Sequence, residues 1–170
     1  MPVLLWWPLT ASASILLTGS AESRLELGMD QNVNPQTYFN AAAEYGWNQF
    51  YFGGEFFEGK PESTGQSTLT ITRLRQGGWA TAAWQSAAWN FVIPYLRGGL
   101  GGYQDSVTTS FYGSSSTAVS RTYMAGFGGI GFRLKTNNLI FAAIEGRLIF
   151  GENENPLPSE ALSLRLGLEF

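Results

Sequence analysis

From Ala161 to Phe170 the chain alternates apolar and polar residues without a break. Leu162, Leu164, Leu166, Leu168 and Phe170 fall on one side, and Ser163, Arg165, Gly167 and Glu169 on the other. Successive side chains of a strand point to opposite faces, so the segment predicts a strand with one apolar and one charged face. A tilted strand of about 9–11 residues crosses a bilayer when its apolar face meets lipid and its polar face lines a barrel.

The same period of two recurs along the chain. Leu25, Leu27 and Met29 oppose Arg24, Glu26 and Asp30, and a turn cluster follows at 32–36. Phe39, Ala41, Ala43, Tyr45 and Trp47 oppose Asn40 and Glu44; after a turn at Asn48, Phe50, Phe52 and Phe56 oppose Gln49, Tyr51 and Glu55. Further on, Met124, Ile130, Phe132 and Leu134 oppose Arg133, and Ile140, Ile144, Leu148 and Phe150 oppose Glu145 and Arg147. Residues 67–91 are the least regular, with a strand-like start, Gly77-Gly78, and then a run rich in alanine and tryptophan. Short turns near 47–48, 92–93 and 135–138 alternate with long polar connections at 57–66, 104–120 and 151–160. Membrane barrels show this asymmetry, with short turns on the periplasmic side and long external loops. Both termini then lie on one side, which requires an even strand number. The expected fold is an all-β, antiparallel, up-and-down transmembrane β-barrel of 8 strands, with 67–91 supplying one of them and 10 strands as the alternative.

Composition narrows the reading. Charged residues are only 14% of the chain and aromatics reach 15%, against about 25% charged in a soluble domain. A net charge of −3 speaks against nucleic acid as a partner, because phosphate binding needs a basic face. The chain has no cysteine and no histidine. That removes disulfides and thiolate chemistry, together with the usual zinc ligand and the base of any Ser-His-Asp arrangement. Residues 3–17 are apolar and small, and Gly19-Ser20-Ala21 offers a small-x-small cleavage pattern. These features predict a secretory signal peptide over 1–21 and a barrel domain over 22–170. No lysine or arginine precedes the apolar run; a buried N-terminal strand or helix is the alternative.

Pro94-Tyr95-Leu96-Arg97-Gly98-Gly99-Leu100-Gly101 resembles the Pro-Tyr-x-x-Gly-x-Gly strand start of small bacterial outer-membrane β-barrels. These are the eight-stranded group of outer membrane protein A transmembrane domains and opacity-type proteins. Residues 126–150 are similar to that family's penultimate hairpin, and Phe170 resembles its C-terminal assembly signal. The resemblance covers about residues 24–170. It implies an integral protein of the outer membrane of Gram-negative bacteria, in contact with lipid and lipopolysaccharide. The barrel-assembly machinery would recognise its last strand, and its loops would be open to an external partner. The implied role is structural or surface-interacting. A narrow, porin-like channel is one alternative, and a soluble lipocalin-like barrel binding a small hydrophobic ligand is another.

The inward-facing set predicted by alternation is Glu26, Glu44, Glu55, Arg97, Arg133, Glu145, Arg147, Arg165 and Glu169. An eight-stranded barrel is only wide enough to be filled by side chains, so opposite charges there are expected to pair and plug the lumen. Nothing fixes two carboxylates at one acid–base site, and loop serines such as Ser114–Ser116 lack a base. No enzyme is therefore predicted, and no catalytic, cofactor-binding or metal-binding residue. The glycines at 98–102 follow no strand-to-helix unit and do not form a phosphate cradle. Tyr45, Trp47, Trp79, Trp84, Trp89, Tyr95 and Tyr123 are read as aromatic girdles at the membrane interfaces.

Overall fold

In the computed structural model the described residues are 13–26, 36–66, 69–88, 91–135, 139–151 and 158–170. They form β1 (Ala13–Glu26), β2 (Gln36–Trp47), β3 (Phe50–Gly59), β4 (Glu62–Gln66), β5 (Leu69–Gln85), β6 (Val92–Phe111), β7 (Ser114–Val119), β8 (Tyr123–Lys135), β9 (Ile140–Phe150) and β10 (Ser159–Glu169). Eight of them close a barrel in the order β1-β2-β3-β5-β6-β8-β9-β10, with β10 returning to β1. Every pairing is antiparallel and joins nearest neighbours along the wall. Closure leaves no edge within the barrel, and every wall strand finds backbone partners on both sides.

The expected count of eight holds because 69–85 forms one strand of 17 residues. Its irregular pattern has a physical cause: Trp79 turns its ring into the lumen, while Ala80 and Ala82 face out. Both faces of the strand are therefore apolar, and alternation is blurred.

The N-terminal segment is part of the wall. Residues 13–21 are the first part of β1, paired to β10 (Leu16↔Glu169, Ala21↔Leu164) and to β2 (Leu17↔Ala43). The strand runs through Ala21 to Glu26 unbroken. Residues 1–12 lie outside the described residues.

Two of the expected loops are hairpins. Of 57–66, the first residues extend β3 and Glu62–Gln66 form β4, which pairs with β5. Of 104–120, the first half extends β6 to Phe111 and the second contains β7. Tyr112 and Gly113 make the tip, both with positive φ (47° and 82°), the signature of a two-residue turn whose twist matches the strands. These Ser/Thr-rich strands bury neither face, so no hydrophobic period marks them. The β2–β3 turn contains Asn48 at φ 56°, a conformation asparagine tolerates. The short connection expected at 92–93 is displaced, since β5 ends at Gln85 and β6 begins at Val92; residues 89–90, and 152–157 of the third long connection, lie outside the described set.

The two faces are as the terminal strand predicts. Leu162, Leu164 and Leu166 are exposed on the outer wall and Ser163 and Arg165 are buried in the lumen. Some thirty large apolar side chains stand exposed among the described residues; apart from those on the external hairpins, such as Phe111, Tyr112 and Val119, they lie on the barrel wall, where in water they would be an aggregation surface and in a bilayer are the lipid contact. This overturns the lipocalin-like alternative, which needs the apolar faces inside. The girdle assignment is corrected in part. Tyr45, Trp47 and Trp84 face outward, whereas Trp79 and Tyr95 are buried in the lumen and Tyr123 packs against the inner cluster. Trp89 lies outside the described residues.

Candidate functional site

The lumen is layered. Toward the external end, Tyr38, Phe57, Trp79, Tyr103, Phe127 and Ile149 form one apolar cluster. Toward the periplasmic end, Leu16, Tyr51, Tyr95 and Phe141 form another. Rings enter because the neighbouring strand offers glycine. Gly46 faces Tyr51, Gly99 faces Phe127, Gly131 faces Tyr95 and Gly167 faces Phe141 across the ladder, and a Cβ at any of the four would overlap the ring. Cross-strand glycine–aromatic pairs pin register and fill a narrow barrel.

Between the clusters lies a buried ionic band. Glu55 on β3 accepts from Arg97 Nη1 at 2.7 Å, Arg147 Nη1 at 2.6 Å and Arg165 Nη2 at 3.2 Å. Glu145 on β9 accepts from Arg147 Nε at 2.7 Å, Arg165 Nη1 at 2.9 Å and the Tyr95 hydroxyl at 3.0 Å. Glu44 accepts from Arg97 Nε at 2.8 Å and the Thr81 hydroxyl at 2.9 Å. Glu22 pairs with Arg24 and, at 2.9 Å, with Arg147 Nη1. Such pairs gain little over an apolar filling, but removing one partner strands a buried charge.

Of the nine residues predicted to face inward, Glu44, Glu55, Arg97, Arg133, Glu145, Arg147 and Arg165 are buried in the lumen. Glu169 is half-buried at the periplasmic rim, 3.1 Å from Lys135 Nζ. The side chain of Glu26 lies outside the described set. Among the described residues Arg133 joins no carboxylate; its guanidinium lies over Tyr51 and Phe141, 5.1 and 4.5 Å from the ring centroids. Sequence reading missed Glu22, the first residue of the predicted barrel domain, just after the segment taken for a leader. Extending the alternation back from Arg24 through Glu22, Ser20 and Thr18 to Leu16 finds it.

Beyond the barrel rim, β4, β5, β6 and β7 continue as a four-stranded external sheet in that order. Its outer edges are β4 and β7. Within the sheet Arg75 donates to both oxygens of Asp105, at 2.7 and 3.1 Å, and Arg73 stands opposite Glu62 in the β4–β5 ladder. All six residues of β7 are exposed, and at the adjoining tip Phe111 and Tyr112 are exposed with their rings edge to face at 4.7 Å.

A closed antiparallel barrel with an apolar outer belt, a charged and plugged lumen and an external hairpin sheet is a transmembrane β-barrel of the bacterial outer-membrane kind. Solved structures agree at the level of fold. The chain is similar to Neisserial surface protein A, with a TM-score of 0.61 and 16% identity over 94% of this chain and 97% of that one. It is equally similar to Ail, the attachment invasion locus protein of Yersinia pestis, solved in complex with the heparin analogue sucrose octasulfate (TM-score 0.61, 16% identity, 94% and 99% coverage). A de novo designed transmembrane β-barrel also matches, with a TM-score of 0.52 and 8% identity over 92% of this chain and 95% of the design. No protein-family model and no curated protein matches the sequence.

Proposed function

We propose that the protein is a non-catalytic, non-conducting outer-membrane barrel whose work is surface interaction, carried by the external β4–β7 sheet. The observation that carries this reading is the outer edge of β7. Exposed edge strands are usually guarded by charge, proline or a bulge. Ser114–Val119 has no charged residue and no proline, whereas β4 begins with Glu62 directly after Pro61. An unguarded six-residue edge held up by a rigid barrel suits β-strand addition, in which an extended segment of a partner protein pairs with the free backbone. Phe111 and Tyr112 at the tip add an apolar anchor beside it.

The absence of catalysis is supported by a sequence without histidine or cysteine and by the buried carboxylates Glu22, Glu44, Glu55 and Glu145, each of which is paired with arginine. A polysulfated ligand such as the one in the Ail complex finds little uncompensated charge on this sheet, because Arg75 meets Asp105 and Arg73 faces Glu62. The final strand and Phe170 are the segment we assign to recognition by the assembly machinery.

The test is peptide selection on the full-length barrel held in nanodiscs, using a random peptide library displayed on phage. Successive N–H groups of a strand point to opposite sides, so one of Ser115 and Ser116 directs its N–H away from β6. Proline there removes an edge donor and blocks strand addition. Selected peptides should bind the protein and its Ser→Ala variant at that position but lose binding to the proline variant. Peptides indifferent to that proline, or no binders at all, would contradict the reading.

A further inference from the structure

Ser114, Ser116 and Ala118 pair with Phe111, Thr109 and Val107 in the β6–β7 ladder. Paired residues share a face of the sheet, and these lie on the face that carries Tyr103 into the lumen. Leu69 and Ile71 stand opposite Phe111 and Thr109 on the same side. The β7 side chains there are small, whereas behind them Phe111 is 54% exposed and Leu69 39%. The outermost strand therefore forms a low step, and a taller apolar row rises beyond it.

The opposite face carries hydroxyls. Ser63, Thr72, Thr108 and Thr117 stand side by side across the four strands, and hydroxyl–hydroxyl bonds of 2.9 Å join Ser63 to Thr72 and Thr108 to Thr117. Thr70, Ser110 and Ser115 continue this face in the next row. Residues 63–72 and 106–120 contain no charged residue. A strand added at β7 sends alternate side chains to these two faces. Those opposite Ser114, Ser116 and Ala118 stand over the step, where a large apolar side chain reaches across to Phe111 and Val107. Those opposite Ser115 and Thr117 lengthen the hydroxyl rows, where serine or threonine repeats the bond that Thr108 makes with Thr117. A charged side chain in either set meets no opposite charge across the ladder.

We infer that the segment bound at β7 is an uncharged strand of a partner protein in which large aliphatic or aromatic residues alternate with serine or threonine. This rests on the strand-addition reading above and adds the side-chain pattern to it. In strand addition the backbone pairing supplies affinity and the alternate side chains supply specificity.

The probe is the random phage-displayed peptide library, applied to the full-length barrel in nanodiscs. Peptides that lose binding to the edge-proline variant should alternate apolar residues with serine or threonine, and their paired stretch should be free of charge. Phe111→Ser keeps the edge backbone and removes the ring. It should weaken these peptides about tenfold, the worth of covering part of an aromatic side chain. Selection repeated on Ser116→Arg should return peptides with aspartate or glutamate at an alternate position, because the new charge faces the added strand. That arm keeps the test decisive if Phe111→Ser fails to assemble. Proline-sensitive peptides without the alternation, or the same uncharged peptides recovered on Ser116→Arg, would overturn the inference and leave the edge reading standing. If no selected peptide is proline-sensitive, the edge reading falls and this inference falls with it.

Discussion

Glu55 and Arg147 belong to opposite walls of the barrel, and their side chains meet at 2.6 Å. β3 and β9 are four strands apart in either direction around the ring of eight, so this pair spans the full diameter. Arg97 and Arg165 reach the same carboxylate from two further strands. Four wall strands are thereby tied through one buried side chain, and the lumen is closed at its middle by charge as well as by the aromatic layers above and below.

Replacing Glu55 by Gln should remove the one carboxylate that Arg97, Arg147 and Arg165 share, leaving each guanidinium with only its other acidic partners, Glu44, Glu145 and Glu22. We expect a loss of about 3–5 kcal/mol, the usual cost of removing one partner of a buried ionic cluster. Urea unfolding of the barrel in lipid vesicles measures it. A loss below about 1 kcal/mol, the level of an exposed pair, would show that the cluster is hydrated and the lumen open.

The direction of the outer face is tested at Leu164, which is 60% exposed on the middle of β10 and pairs with Ala21 and Ile144. Leu164→Arg should cost about 2–4 kcal/mol in a bilayer if that position sits at the midplane. Arginine at Phe111, on the external hairpin, should cost far less. Equal costs at the two positions would place Leu164 outside the lipid belt.

Residues 13–21 complete the wall between β10 and β2. A chain begun at Glu22 loses that part of β1 and leaves the upper and lower halves of the seam unequal, with β10 unpaired from Leu164 to Glu169. It should fail to give the heat-modifiable, compact form on gels that a chain begun at Ala13 gives. Full heat-modifiability of the shorter chain would mean that these residues are dispensable, as a removable leader is.

Much of this fold is readable from period two alone, because β2, β3, β8, β9 and β10 each have one lipid face of large apolar residues and one lumen face marked by charge. The sequence is hardest to read where that contrast is lost. In β1, Ile15 and Leu17 face out while Leu16 faces in, and Ser14, Thr18, Gly19 and Ser20 between them mimic the composition of a leader. In β5 and β6 the lumen face carries Trp79 and Tyr95, so two aromatic residues that read as interface girdle are in fact filling. The external hairpins have water on both sides and no period to show. For the ionic band, the sequence identifies which charges point inward. It does not identify their partners, because Glu55 reaches Arg147 and Arg97 across the barrel and only the stagger of the strands decides which levels coincide.

A lumen sealed by cross-barrel ion pairs and aromatic layers passes no ions, and single-channel recording in planar bilayers tests this most directly. Reconstituted protein should insert and remain stable while passing no steady current, and Glu55→Gln should stay silent as well, because the layers around Phe57–Trp79 and Tyr51–Phe141 remain. Large, stable conductance steps from the unmodified protein would contradict the claim and make it a channel.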